Sequence, residues 1–227
     1  LLFLALDTKV NLHFTLSGWR QLVWETLPLG IMILLNTAMI RFDSLLLTFT
    51  RPTLEVGWYG LAYRIFEDIL VLPLFFINAL YPIMIQHRKL NIIYLRRLVF
   101  RAGQFLLPAS VFFTLAFFFA SPLIPLVFGA SMSPTITALK LLGLSFPLFF
   151  LTVLLQWTLI TLHQERVLIK VYALGLLVNV TANLWFIPRL GFLAAAVTTG
   201  LTEVIVFFLL LIPVLQFFKT VKGHYAA

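Results

Sequence analysis

The sequence predicts an all-α, polytopic transmembrane helical bundle. Three observations carry that prediction: apolar runs of twenty or more residues recur along the whole chain, only 11% of residues are charged, and Lys and Arg gather at alternate connections. Twenty residues at about 1.5 Å each cross a hydrocarbon core of roughly 30 Å. Soluble domains carry about 25% charged residues, so 62% hydrophobic content and a mean hydropathy of +1.06 exclude a water-soluble fold. The runs are continuous and lack the alternation over about ten residues that marks barrel strands, which leaves helices as the spanning element.

The chain opens Leu1-Leu2-Phe3-Leu4-Ala5-Leu6, which reads as the tail of an earlier helix, so a longer protein is expected. Residues 1–18 are assigned to that helix end and a cytoplasmic linker. The first span runs over Trp19–Thr50 and ends at Arg51-Pro52, because proline disfavours helix in the residue before it. The second covers Val56–Gln86 and the third Arg96–Ala120. A connection punctuated by Pro and Gly over Ser121–Ser133 leads to the fourth, Pro134–Leu162. The fifth, Glu165–Ile187, turns at Pro188-Arg189-Leu190-Gly191 into the sixth, Phe192–Phe218. A six-helix lobe thus spans 19–218, with a basic cytoplasmic tail at 219–227. Pro73, Pro82, Pro108 and Pro147 lie inside spans, where they kink helices and free backbone carbonyls.

Charge checks this count independently. Lys9, Arg20, Arg88, Lys89, Arg96, Arg97, Arg101, Arg166, Lys170, Lys219 and Lys222 fall on one side of the six-span arrangement, and only Arg51 and Arg189 fall on the other. By the positive-inside rule the richer side is cytoplasmic. The net charge of +8 is therefore read as basic loops, and no nucleic-acid partner is expected. Without Cys, and with four scattered His, the chain has no disulfide, thiol or recognisable metal-ligand pattern.

Away from the cytoplasmic ends of the spans, seven charged residues lie inside them: Arg41, Arg64, Lys140, Asp43, Glu67, Asp68 and Glu203. Charges at that depth are costly and face a bundle interior or a wet cavity. Arg64, Glu67 and Asp68, at i, i+3 and i+4, share one helix face. Arg41 and Asp43 point about 200° apart at ~100° per residue, so one of them needs a partner on another helix, and Asp43 with Arg64 is the natural cross-pair. These charges either staple the first span to the second or line a cavity. Lys140 either joins that cavity or snorkels to the interface. Glu203, near the bilayer centre beside Thr198, Thr199 and Thr202, is either a protonatable coupling site or a hydrogen-bonded structural carboxyl. Asn179 and Asn183, one turn apart, read as helix bridges, and Ala194, Ala195, Ala196 and Gly200 as a close-packing face.

Read in order, Arg41-Phe42-Asp43, Val56-Gly57-Trp58-Tyr59, Ala62-Tyr63-Arg64 with Glu67, and Pro82 resemble the polysaccharide-exporter branch of the multidrug/oligosaccharidyl-lipid/polysaccharide superfamily, the Wzx-type flippases of MATE-like architecture. Ser121-Pro122-Leu123-Ile124-Pro125-Leu126-Val127-Phe128-Gly129 looks like that family's outer-side link. Asn179, Asn183, Ile187-Pro188, Gly191, Ala194 to Ala196, Thr198 and Glu203 look like its next-to-last hairpin. The resemblance implies a two-lobe transporter of which this chain is the C-terminal lobe, with the N-terminal lobe of the same protein and membrane lipids as partners. It implies a multi-pass protein of the bacterial cytoplasmic membrane that flips a polyprenyl-pyrophosphate-linked oligosaccharide by alternating access for surface polysaccharide synthesis.

Under that reading Arg41, Arg64 and Lys140 would meet the pyrophosphate, since guanidinium groups grip phosphate oxygens in a bidentate way. Tyr59, Tyr63 and Trp58 would either stack on sugars or form an interfacial aromatic belt. Asp43, Glu67, Asp68 and Glu203 would serve as coupling groups or structural ion pairs. No organic cofactor or metal is implied, and the driving force is left open among Na⁺, H⁺ and membrane potential. The competing reading within the superfamily is a cation-coupled multidrug exporter using Asp43 and Glu203. A membrane enzyme is disfavoured, because no connection is long enough to carry an acidic catalytic loop.

Overall fold

The computed structural model describes residues 16–224, and over that range the chain is helical, with no strand among the described residues. The helices are α1 (Leu16–Thr50), α2 (Thr53–Leu90), α3 (Ile92–Ala120), α4 (Ile124–Phe128), α5 (Thr135–Gly143), α6 (Phe146–Thr161), α7 (Glu165–Leu190) and α8 (Phe192–His224). Five are long and apolar enough to cross a membrane: α1, α2, α3 (running on into α4), α7 and α8. The bent pair of α5 and α6 makes up to a sixth span. The protein is a multi-pass, all-helical membrane protein. Most of the expected stub and linker at residues 1–18, and the end of the expected tail, lie outside the described residues.

Local chemistry places each break. Pro52, with φ −58° and ψ 147°, is extended and stands immediately before α2. Asn91, at φ −164° and ψ 117°, ends α2 and starts α3, its side chain accepting from the Ile93 N–H at 2.8 Å. Arg88 therefore lies on a helix rather than in the loop expected between Gln86 and Arg96. Gly191, at φ +74°, turns α7 into α8, a backbone conformation that glycine adopts without a Cβ clash. The expected basic tail continues α8 as helix as far as His224.

Proline acts unevenly. The helices run on across Pro28, Pro73, Pro82, Pro108 and Pro213, whereas the span containing Pro147 breaks at Leu144 and Ser145 with a 45° bend. Pro147 has no N–H for the Gly143 carbonyl four residues earlier. The Thr114 hydroxyl of α3 lies 2.9 Å from that carbonyl and 3.0 Å from its own Ser110 carbonyl, so a neighbouring helix supplies the missing donor. Glycine at 143 permits this approach, since a Cβ there would stand 3.3 Å from Phe117 Cβ.

The centre of the bundle is α6, which packs against α2, α3 and α8, while α7 lies along α1 on one side and α8 on the other. The core is aromatic, with Phe66 stacked on Phe146 at 4.9 Å and Phe117 edge-on to Phe146 at 4.8 Å. Where α1, α7 and α8 converge, a Cβ on Gly175 would come within 2.9 Å of Val206 Cγ2 and 3.0 Å of Met39 Sδ. Ala194, Ala195 and Ala196 are buried, as a close-packing face requires. Between helices in lipid this packing, with interhelical hydrogen bonds, replaces the hydrophobic force available in water.

Thr114→Val should expose the Gly143 carbonyl without a donor and cost about 1–3 kcal/mol, whereas Thr114→Ser should cost less than half as much. Thermal unfolding of the purified protein in detergent reads the difference, and equal losses in the two variants would show that the hydroxyl does not support the bend.

Candidate functional site: buried carboxylates behind a charged face

Three connections meet at one end of the bundle, which we call the turn end. Arg51 grips Glu55 (Nη2 to Oε1 2.7 Å, Nε to Oε2 3.1 Å) and donates to the Pro188 carbonyl at 3.3 Å. Glu55 Oε2 also accepts from the Phe192 N–H at 3.1 Å, so one carboxylate ties the α1–α2 turn to the start of α8. Trp58 donates to the Ser131 carbonyl at 2.8 Å and packs on Phe192, which brings in the α4–α5 link.

Deeper in the bundle, Asp43 is 1% exposed, and every hydrogen bond it makes comes from a neutral donor. Oδ2 accepts from Tyr59 OH of α2 and from Thr199 Oγ1 of α8 at 2.9 Å, and Oδ1 accepts from the Ser44 N–H at 2.6 Å. Tyr63, also buried, donates to the Ile40 carbonyl at 3.0 Å and packs on Tyr59 with ring centres 5.4 Å apart. Helices α1, α2 and α8 are thus joined through one side chain. Tyr59 and Tyr63 occupy neither a sugar-facing wall nor an interfacial belt here. At i and i+4 they share the α2 face that closes on Asp43.

One turn along α8 from Thr199 lies Glu203, 2% exposed, whose Oε1 has no hydrogen-bond partner among the described residues. Beside it a hydrogen-bonded ladder joins α7 to α8. Asn183 donates to Asn179 Oδ1 at 2.9 Å, Asn179 donates to Thr202 Oγ1 at 3.4 Å, and Thr198 donates to Asn183 Oδ1. The asparagines bridge helices as expected. Among the described residues neither Asp43 nor Glu203 has a basic side chain within ion-pair distance.

On the other face of the same helices, charges are exposed. Arg41 holds Glu67 in a two-pronged pair across α1 and α2 (Nη2 to Oε1 3.0 Å, Nη1 to Oε2 3.1 Å). Arg64 meets Asp68 at 3.6 Å along α2. The side chains of Arg41, Arg64 and Asp68 are 59%, 73% and 61% exposed, which sets them apart from Asp43 two residues away from Arg41. The angular argument for Arg41 and Asp43 therefore resolves with Arg41 outward and Asp43 inward.

The anticipated Asp43–Arg64 pair does not form. Tyr59 and Tyr63 fill the α2 face opposite Asp43, and Arg64 lies about 100° round the helix from Tyr63. No hydrogen bond or ion pair joins Lys140 to this charged face; its ammonium lies 4.5 Å from the centre of the Phe118 ring. Sequence reasoning missed Tyr59 and Thr199 as the partners of Asp43. The i, i+4 spacing of the two tyrosines was the available signal.

Tyr59→Phe and Thr199→Val each remove a donor from a buried acceptor, and each should lower stability by about 1–3 kcal/mol. The pair should be non-additive by more than about 0.5 kcal/mol in a double-mutant cycle on thermal unfolding, because both donors serve one oxygen. Strict additivity would count against a shared role. No protein-family model, no curated protein and no solved structure matches the chain.

Proposed function

We propose that this chain is one lobe of a two-lobe flippase that moves a polyprenyl-pyrophosphate-linked oligosaccharide across the bacterial cytoplasmic membrane by alternating access. The observation that carries this reading is the charged face of α1 and α2. Arg41, Arg64 and Asp68, with the half-buried Glu67 that pairs with Arg41, belong to helices otherwise apolar enough to span a bilayer, yet the first three are turned out of the bundle. A charge facing acyl chains at the helix centre costs about 2.5–3.5 kcal/mol on insertion scales, so such a face belongs against water or another polar protein surface. An inter-lobe chamber supplies both.

The chemistry suits an anionic headgroup. A pyrophosphate loses hydration on entering the membrane, and the Arg41 and Arg64 guanidinium groups can offset that loss with paired hydrogen bonds. Glu67 and Asp68 hold the two arginines extended and give way when a phosphate competes for them. The ordered residues that resemble the Wzx-type flippases fall on these same helices, and Lys140 takes part only in a conformation that releases it from Phe118.

Coupling is assigned to the two buried carboxylates. Asp43, fed by hydroxyl donors, and Glu203, with an unpartnered oxygen, are the groups on which a proton or Na⁺ would change the balance among α1, α2 and α8. Because both lack a basic partner, they also fit the second reading, a cation-coupled multidrug exporter. The two readings differ at the arginines, which only an anionic substrate uses.

In the intact transporter, Arg41→Ala and Arg64→Ala should each lower flipping by about tenfold or more, the factor that 1.4 kcal/mol carries, with lipid-linked precursor accumulating on the inner leaflet. The exchange Arg41→Glu with Glu67→Arg should restore assembly and thermal stability but not transport, since the cation is then on the other helix. Unchanged surface polysaccharide in both single variants, together with sensitivity to cationic dyes in Asp43→Asn, would shift the assignment to drug export.

A further inference from the structure

At the end of the bundle opposite the turn end, α3 and α8 both pack on α6 but scarcely meet each other. Between them runs a groove of about 530 Å³. Leu151 and Leu154 of α6 form its floor, Gly103 and Leu107 of α3 one wall, and Leu211 and Leu215 of α8 the other. The volume falls within the roughly 300–1,000 Å³ typical of small-ligand pockets, and the lining is almost wholly apolar.

The groove does not stay apolar along its length. Arg96, Gln104 and Lys219 line it towards its end, and a second hollow of about 480 Å³ shares Arg96 and Gln104 with it and adds Arg97 and Arg101. Among the described residues none of these four cations has a carboxylate within ion-pair distance. Arg97 lies 5.7 Å over the Tyr94 ring, and Arg96, Arg101 and Lys219 are exposed. An uncompensated cluster of cations at the mouth of an apolar slot between membrane helices has the complement of an anionic lipid: a phosphate for the mouth and a hydrocarbon chain for the slot.

We propose that this groove is a resident site for an anionic phospholipid of the adjoining leaflet, with one acyl chain laid between α3 and α8 and the headgroup phosphate held by Arg96, Arg101 and Lys219. The continuity of the slot with the mouth favours a lipid over free phosphate, which would leave the slot unused. The site is distinct from the charged face of α1 and α2, and it does not depend on the flippase reading.

Native mass spectrometry of the full chain in detergent, titrated with phosphatidylglycerol or with phosphatidylethanolamine of the same acyl composition, tests it. Phosphatidylglycerol should bind at least about tenfold more tightly. The double variant Arg96→Gln with Lys219→Gln should lose that preference. Arg166→Gln with Lys170→Gln, the same charge change at the start of α7, should keep it. Leu211→Trp, which fills the slot and leaves the cations in place, should also weaken phosphatidylglycerol binding, and Leu215→Trp is its substitute if the first variant does not fold.

Equal binding of the two lipids would overturn the proposal, as would equal losses in both charge pairs, which would mean diffuse attraction to a basic surface. Displacement of phosphatidylglycerol by millimolar inorganic phosphate would reduce the site to an anion patch. Preferential binding of a polyprenyl phosphate over phosphatidylglycerol would reassign it to the transport cycle and overturn the resident-lipid assignment.

Discussion

An apolar solvent gives a polar group no partner, so every such group inside this bundle must find one in the protein, and the side chain of Asp43 is where that demand organises most structure. Its two oxygens collect donors from Tyr59 on α2, Thr199 on α8 and the Ser44 backbone on α1. Two consecutive spans and one distant in sequence are brought to one point by a group that none could bury alone. The same accounting explains the ladder of Asn179, Asn183, Thr198 and Thr202 between α7 and α8, and the hydroxyl of Thr114 at the carbonyl freed by Pro147.

Seen this way, the exposed pairs and the buried carboxylates are two outcomes of one geometry. A helix turns about 100° per residue, so charges two apart cannot share an environment. Arg41 and Asp43 are separated in this manner: one lies in a salt bridge on the outer surface of α1, and the other is surrounded by neutral donors in the interior. A conformational change that altered the protonation or ligation of Asp43 would be felt by α1 as a whole. Arg41 rides on the same turn, which gives the two sides of the helix a mechanical connection without any direct contact.

The fold was legible in the sequence because lipid imposes long, uninterrupted apolar runs, and the Arg51-Pro52 break and the glycine turn at Gly191 fall where local chemistry places them. The boundaries near the basic end were less so. The stretch between Gln86 and Arg96 reads as loop, yet α2 runs on to Leu90 and one Asn91 side chain caps the start of α3. Of the candidate site, spacing alone showed that Arg41 and Asp43 face opposite ways, and the structure shows which is inward. Their partners did not follow from it: Arg41 pairs with Glu67, and Asp43 takes Tyr59 and Thr199 instead of Arg64, because partner choice depends on the rotation of α2 about its own axis, which hydropathy does not report. Pro147 lies at a broken span while Pro73 and Pro108 do not, and the donor that serves the carbonyl freed at Pro147, a hydroxyl on a neighbouring helix, is a tertiary fact.

The knot formed by Arg51, Glu55, Pro188, Phe192, Trp58 and Ser131 has a mechanical corollary. Helix α1 contains 35 residues and so measures roughly 50 Å at about 1.5 Å per residue. Fastened at one extremity, such a rod behaves as a lever: a tilt of about 5° at the fastening sweeps its free extremity through roughly 4 Å. Small rearrangements around Asp43, close to the pivot, are thereby magnified at the far side of the membrane.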